Sequence, residues 1–314
     1  MLILALTIQC TQLVMAPART IDLPISGEDA RLQSRTNIWD SPTSGIAPGY
    51  LQANLLVLPS SYARDFALLC ARNPVPCPLL ASSASPGDFQ HFESHIQGIY
   101  DHQIAKGLDI RNDIPRYTLY NNGELQKTAL SSIEPFWDER DSVAFLIGCS
   151  FSFENALTKA DLPPPHMLHG RNVPMYRTNI PLAPAGAFTG STFVVSMRLY
   201  RRSEVERVRD TTRPYVATHG EPIAWGWDAM RAIGIAALNN VDWGDTPVTA
   251  DGLQVDESGE IQKQDGLLPV FWACGVTPQL AVMNAKIPGI VMGHQPGYMV
   301  VLDVKEHEVL TSIC

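Results

Sequence analysis

The sequence lacks several features that would place it in a common functional class. It has no run of the roughly 18–20 apolar residues that a membrane-spanning helix requires. It contains neither a G-x-G-x-x-G fingerprint nor a P-loop, which disfavours a nucleotide cofactor. Positive charge is scarce, because 23 lysines and arginines stand against 32 acidic residues and the formal net charge is −9. Without a basic stripe, the composition argues against nucleic acid and membrane as partners.

Cysteine pairs with regular spacing are also missing. The six cysteines, at positions 10, 70, 77, 149, 274 and 314, form no C-x-x-C motif. In a chain of this size we expect reduced thiols and an intracellular protein, cytoplasmic or mitochondrial. Residues 1–16 are uncharged and fairly apolar, but they lack a basic segment and polar residues 9–12 interrupt them. A terminal segment or first strand is therefore favoured over a signal peptide.

Apolar runs alternate with helix-like segments along the 314 residues. This order predicts an α/β fold with a largely parallel or mixed sheet, flanking helices and a smaller inserted α+β subdomain. We assign residues 36–161 and 263–314 to the main domain and residues 162–262 to the smaller one, and leave residues 1–35 uncertain. Residues 81–106 are predicted to form a surface excursion, and the Asn-Asn-Gly sequence at 121–123 predicts a hairpin turn.

Two buried strands end in a cysteine beside a glycine, Gly148-Cys149 and Cys274-Gly275, and a helix follows each. In parallel sheets, ligands gather beyond the carboxyl ends of the strands. We therefore expect Cys149 and Cys274 close in space on neighbouring strands. Inert core thiols are the usual role of buried cysteines, but a position near a helix start lowers a thiol pKa.

The first corner reads G-C-S-F-S-F-E from residue 148. It is not a nucleophile elbow, because Ser152 occupies the second glycine position of G-x-S-x-G. Hydroxyls of Ser150 and Ser152, with free backbone N–H groups at the helix start, suit a carboxylate. Glu154 is either a helix-start residue or a general acid or base. If Phe151 and Phe153 desolvate Glu154, burial should raise its pKa.

The irregular, proline-rich residues 162–186 contain Arg171, Arg177 and Asn179. Arginine binds carboxylates through two hydrogen bonds, although these side chains could equally clamp the loop by its carbonyls. The cationic trio Arg198, Arg201 and Arg202 is interpreted as a solvated strand end.

Two sequence patterns raise the question of a metal. His219 and Glu221 form the H-x-E of zinc deaminases without the P-C-x-x-C partner. Asp242 and Asp245 could bind a hard cation, but a turn is favoured. We predict no metal and no cofactor.

Ten stretches occur in the order found in the D-glutamate cyclase family, whose bacterial members are mostly called hydro-lyases. They include GIAPGYLQANLLVLP, FLIGCSFSFENAL, RNVPMYRTNIP, HGEPI, WGD, FWACGVTPQLA and HQPGYMVVLD. The sequence resembles this family over roughly residues 40–303. The resemblance implies an α/β fold with two subdomains and reversible dehydration of D-glutamate to 5-oxo-D-proline. The chain departs from it at residues 1–35, at 81–106, which look longer, and at Tyr298, where the family has a histidine.

Cyclisation of glutamate requires deprotonation of the ammonium, protonation of the departing oxygen and a hold on the other carboxylate. With the resemblance, this chemistry suggests Glu154, Cys149 and His294 as catalytic residues. The residues suggested to bind substrate are Ser150, Ser152, Arg171, Arg177, Asn179, Cys274, Thr277 and Gln279. The expected partner is a small amino acid or carboxylate, and a homo-oligomer stays open. The alternative is a non-catalytic module that binds a small carboxylate such as 5-oxoproline for a partner enzyme.

Overall fold

The structure, a computed structural model, describes residues 23–256 and 259–311. The interpretation of residues 1–16 lies outside the described residues. The strands in these ranges, in chain order, are β1 (Tyr50–Pro59), β2 (Leu79–Ser83), β3 (Phe92–Ser94), β4 (Tyr117–Asn121), β5 (Glu124–Leu130), β6 (Ser142–Gly148), β7 (Met175–Pro181), β8 (Thr192–Arg201), β9 (Ala224–Trp225), β10 (Leu267–Ala273), β11 (Ile290–His294) and β12 (Val300–Lys305).

The strands form two sheets. The first runs β3-β2-β6-β1-β11-β4-β5, with β12 also paired to β1, and the second runs β7-β8-β10-β9. All pairings between these strands are antiparallel. The mixed α/β content is confirmed, but the expectation of a largely parallel or mixed sheet is not, because these pairings are antiparallel. Strands buried on both faces read as continuous apolar runs, and such a run does not state the direction of its neighbour.

Eight α-helices lie in the described ranges: α1 (Gly27–Arg35), α2 (Ala63–Arg72), α3 (Glu154–Lys159), α4 (Pro165–Leu168), α5 (Val205–Thr212), α6 (Trp227–Ala232), α7 (Glu260–Gln264) and α8 (Thr277–Ala285). None of them is long and apolar enough to cross a membrane.

Strand β1 is the central strand of the first sheet and is buried on both faces. Leu55 and Val57 belong to the hydrophobic cluster on one face, while Leu56 and Leu58 belong to the cluster on the other, which includes α2 and α8. This division follows the two-residue period of a strand. The second sheet has its own core with α5 and α6.

Two local expectations have clear outcomes. The hairpin is confirmed, since β4 and β5 pair around Asn122 and Gly123, whose φ angles are 52° and 79°, as a tight primed turn requires. Residues 81–106 are not merely a surface excursion. Strand β3 pairs with β2, and Phe92 and Ile104 lie in the core.

The predicted domain boundaries stay a prediction. The second sheet draws on β7 to β10, and β10, which we placed in the main domain, pairs with β8 and β9. The two sheets meet in a small apolar cluster that includes Cys149, after β6, and Cys274, after β10. The candidate site lies next to this junction.

Candidate active site

A buried charged cluster lies where the first sheet meets β8. Its members are Glu154, the first residue of α3, His166 on α4 and Arg198 on β8, with exposures of 1%, 4% and 2%. Oε1 of Glu154 lies 2.6 Å from Nη2 of Arg198 and 3.0 Å from Nε2 of His166. Charge-assisted bonds of this length are the strong ones, and they hold three distant chain segments together.

Hydroxyl groups complete the cluster. Ser44 donates to Oε2 of Glu154 at 2.6 Å, while Ser196 and Ser150 accept from Arg198 at 3.0 Å and 3.2 Å. The Arg198 guanidinium also lies over the rings of Phe153 and Trp272, with centroid distances of 5.5 Å and 5.2 Å. These contacts compensate a cation that has left water.

Burial by itself would raise the pKa of Glu154, but its interactions with His166, Arg198 and Ser44 outweigh burial and lower that pKa to about 2. The expectation of a raised pKa is therefore wrong. Its premise of burial is correct, and the partners decide the sign. Glu154 is a carboxylate at neutral pH, which suits a group that orients a neighbour better than one that donates a proton.

His166 is held in one orientation. Because Nε2 faces the carboxylate, a neutral ring carries its proton on Nε2 and leaves Nδ1 as the acceptor. The ring's polar contacts within the described residues, to Glu154 at 3.0 Å and Ser44 at 3.3 Å, are both made by Nε2. The ring stacks on Phe151, with a centroid distance of 6.1 Å. A carboxylate-oriented imidazole with a free nitrogen can accept and return a proton.

A narrow cavity adjoins this cluster. It is lined by His166, Arg171, Asn172, Arg198 and Thr246, among others, and its volume of about 10 Å³ is room for one water-sized atom. The Nε–H groups of Arg171 and Arg198 are buried, and neither has a hydrogen-bond partner among residues 23–256 and 259–311. Two unpartnered guanidinium donors on one cavity indicate an anion site for a carboxylate oxygen.

A second, wide cavity shares Asn172 with the narrow one. It has a volume of about 410 Å³, and its lining includes Trp243, Asp245, Gln295 and Tyr298. Burial raises the pKa of the half-buried Tyr298, which therefore stays a neutral phenol. Residues of the RNVPMYR, WGD and HQPGY stretches, far apart in sequence, thus line one cavity.

The comparisons with known proteins agree with these stretches. The sequence profile of the family described as D-glutamate cyclase matches residues 143–303. The chain is 43% identical over 288 residues to a protein named "putative hydro-lyase" in Schizosaccharomyces pombe, covering 91% of this chain and 86% of that one. The chain belongs to the D-glutamate cyclase family.

Bacterial members of the family are equally similar. A "putative hydro-lyase" of Geobacillus kaustophilus is 41% identical, with 92% of this chain and 98% of that one covered. One from Corynebacterium urealyticum is 45% identical, with coverages of 84% and 89%. Among solved structures, a nitrogen repressor-like protein of Methanococcus jannaschii matches 91% of this chain and 98% of its own at 11% identity and a TM-score of 0.36, too loose a match to argue from.

The two cysteines suggested by the sequence lie close together, as expected, but after strands of different sheets. Both are buried in the apolar cluster at the sheet junction. Burial raises the pKa of the Cys149 thiol well above its usual range and that of Cys274 to about 11. The expectation that a helix start lowers these pKa values is wrong, because desolvation outweighs it. Both are neutral thiols at pH 7.

His294, suggested as a catalytic base, is fully buried at the end of β11. Its Nδ1 lies 2.9 Å from the side-chain nitrogen of Gln279 and within bonding distance of the Leu55 backbone. Burial lowers its pKa to about 4. Thr277 is bound to the backbone of Val194. These side chains tie α8 and β11 to their neighbours, and none of them lines either cavity.

The remaining suggested binding residues divide between cluster and surface. Ser150 contacts Arg198, and Ser152 bonds to the backbone of Gln52. Arg177 is exposed and pairs with Asp242, and Asn179 is exposed and donates to the carbonyl of Ala232. Of the arginines in this stretch, Arg171 alone lines the narrow cavity.

The residues of the two candidate metal motifs make contacts with other protein groups. Glu221 pairs with Arg209 and Arg213, while Nδ1 of His219 lies 2.8 Å from the carbonyl of Val75. Asp242 accepts from the backbone of Arg177, and Asp245 from that of Asn172. Across residues 23–256 and 259–311, no group of three or more His, Cys, Asp or Glu is placed to hold a metal. The absence of a metal stays a prediction.

Sequence reasoning missed His166 and Arg198 and interpreted Arg198 as solvated. A signal for Arg198 exists, since it stands inside the apolar strand VVSMRLY, where a charge without a partner would be costly. His166 follows three prolines in a segment that has neither helical nor strand periodicity. In such a segment, residue spacing does not show which way a side chain points.

Proposed function

We propose that this protein is a hydro-lyase that interconverts D-glutamate and 5-oxo-D-proline. Membership in the D-glutamate cyclase family and the hydro-lyase names of its relatives support the reaction class. The observation that carries the proposal is the lining of the narrow cavity: two arginines whose buried Nε–H groups have no hydrogen-bond partner among the described residues, and a histidine oriented by a buried carboxylate.

The reaction balances without a further reagent. The substrate amine attacks the side-chain carboxyl carbon, a C–N bond forms, a C–O bond breaks, and the oxygen leaves as water. Both protons of that water come from the ammonium group. One residue that takes a proton from nitrogen and returns it to oxygen therefore suffices for proton transfer.

The residues divide these tasks as follows. Arg171 and Arg198 bind one oxygen of the reacting carboxyl in the narrow cavity and stabilise the negative charge that develops on that oxygen. His166 accepts the amine proton on Nδ1 and returns it to the departing oxygen. Glu154 positions His166 and balances its charge. The rest of the substrate occupies the wide cavity, since the narrow one holds about one atom.

A second candidate is a non-catalytic module that binds a small carboxylate. The same two arginine donors would suffice for binding alone, because binding needs no proton transfer. The two candidates differ in whether bound D-glutamate is converted.

The test is to incubate purified protein with D-glutamate, L-glutamate or 5-oxoproline and follow interconversion by NMR, with and without a chelator. We expect D-glutamate and 5-oxo-D-proline to interconvert. We expect His166→Gln to lower kcat by roughly 10²- to 10⁴-fold. Arg171→Ala should raise KM by about 10- to 150-fold, the effect of one charged hydrogen bond.

Arg140→Ala is the control, since it removes an exposed arginine that lines neither cavity, and we expect it to change KM by less than about threefold. Binding of D-glutamate without conversion would favour the carboxylate-binding module. If the protein neither binds nor converts any of the three compounds, the proposal is refuted.

A further inference from the structure

The Asn172 side chain lies between the two cavities with one atom unused. It is 8% exposed and lines both cavities. Its Nδ2 donates to the carbonyl of Pro296 at 3.0 Å. Because a carbonyl only accepts, the amide nitrogen must face Pro296, and this fixes the orientation of the group. Oδ1 is then left buried, and no residue in the described part of the chain donates a hydrogen bond to it.

The surrounding chain holds the amide in place. The backbone N–H of Asn172 donates to Oδ2 of Asp245 at 2.8 Å. Gly297, with φ of +97°, passes so close that a Cβ there would lie 2.2 Å from Nδ2 of Asn172. A residue fixed on both sides cannot turn Oδ1 toward another protein group. A buried acceptor without a partner destabilises the protein unless a ligand supplies a donor.

The neighbourhood of Asn172 in the wide cavity suits a cation. Asp245 places a carboxylate on this cavity, and the Trp243 ring beside it already attracts one cation, the Arg177 guanidinium, whose central carbon lies 5.0 Å from the ring centroid. The narrow cavity offers arginine donors and suits an anion. The two cavities that share Asn172 therefore have opposite preferences, as a ligand with an amine near a carboxylate requires.

We infer that Oδ1 of Asn172 accepts a hydrogen bond from the substrate's amino group and restricts the site to amino acids. This inference rests on the proposed function and adds the residue that selects ligands with an amino group. The same bond would hold the amine next to the carboxyl in the narrow cavity, which is the approach that ring closure needs. A dicarboxylate of equal length without the amine would leave Oδ1 unpaired.

Isothermal titration calorimetry with D-glutamate and with glutarate, its analogue lacking the amine, tests the inference. We expect wild-type protein to bind D-glutamate about tenfold or more tightly than glutarate. Asn172→Ala should remove that preference and leave glutarate affinity within about twofold. Asn172→Asp keeps an acceptor oxygen but loses the donor to Pro296, and it should keep the preference. Asn240→Ala, which changes an exposed asparagine that lines neither cavity, is the control and should bind as wild type.

The outcomes distinguish failure of the Asn172 inference from failure of the proposed function. Equal binding of both ligands by wild-type protein would overturn the role of Asn172 and leave a carboxylate site standing. If Asn172→Ala binds neither ligand, the side chain serves to hold the backbone at Pro296, and this result would also overturn the inference. If wild-type protein neither binds nor converts D-glutamate, the proposed function fails, and the inference fails with it.

Discussion

At the scale of single residues, the chain buries an ion pair with a histidine attached. Burying charges carries a desolvation penalty that their mutual attraction offsets only when nearly every donor and acceptor is used. Here both carboxylate oxygens of Glu154 and both Nη atoms of Arg198 are bonded, and only Nε of Arg198 is spare. Arg198 and Arg171, each with a buried Nε donor that no described residue accepts from, line the same cavity, and for that reason we assign the cluster to binding as well as to folding.

Removing one member of this cluster should greatly lower the free energy of unfolding of the protein. We expect Arg198→Met to lower the free energy of unfolding by about 3–5 kcal/mol, because it leaves a buried carboxylate without its cation. Adding Glu154→Gln should recover about 1–3 kcal/mol relative to the sum of the single effects. Urea denaturation of the four proteins measures this coupling.

The exposed pair Arg231 and Asp228 provides a control cycle, since their side chains are 53% and 99% exposed. We expect Arg231→Met and Asp228→Asn to couple by less than about 0.5 kcal/mol. Equal coupling in both cycles would show that burial does not strengthen the Glu154 pair.

The residue types of the site were partly readable from the sequence. Glu154 follows a glycine-cysteine corner with two serines, and Arg171 lies in an irregular segment, so both could be proposed from chemistry and spacing. His166 and Arg198 could not be brought to Glu154 in this way. Their approach depends on how the proline-rich segment packs on β8, which is a tertiary property that no local pattern encodes.

At the scale of elements, the corner after β6 explains why the strand ends in glycine. A Cβ on Gly148 would lie 2.0 Å from the backbone oxygen of Ala217, in the short 3₁₀ turn Val216–Thr218. The turn therefore packs directly on the strand end, close to where Cys149 enters the sheet junction. The sequence correctly predicted that a strand ends at this corner. It did not predict the antiparallel sheet, because strands alternating with helices suggest parallel crossovers. The strands that actually pair lie far apart in the chain, so no local pattern shows their direction.

This close approach predicts that Gly148→Ala is poorly tolerated. The added methyl group must displace backbone, so we expect a loss of about 1–3 kcal/mol or more in unfolding free energy. Gly107→Ala is the comparison, since nothing lies within 4 Å of a Cβ there and only its φ of +65° opposes the change. In thermal unfolding, the Tm of Gly148→Ala should lie clearly below that of Gly107→Ala. The reverse order would mean that the 216–218 turn moves aside easily.

At the scale of the whole molecule, acid sensitivity combines several buried groups. Burial lowers the pKa values of His219 and His294 from 6.5 to about 4, so both are neutral in the folded protein at pH 7. The pKa of Glu154 is lowered from 4.5 to about 2. In each case the folded protein binds the proton less readily than the unfolded chain, so stability is full above the unfolded pKa and falls as pH falls toward the folded one. Asp113, whose pKa burial raises, acts with the opposite sign near pH 4.

The histidines should therefore dominate acid unfolding. Between pH 6.5 and 4 each contributes a loss of about 3 kcal/mol, and together they approach the whole stability of an ordinary domain. Glu154 titrates only below about pH 4.5, so the protein should unfold before that carboxylate is protonated. We expect urea titrations to show unfolding free energy falling with pH across this window, and His294→Gln to reduce the slope by about half. His307→Asn, which changes an exposed histidine, should keep the wild-type slope. A slope that His294→Gln leaves unchanged, with loss of stability confined to pH values below 4.5, would instead assign acid unfolding to Glu154 and its ion pair.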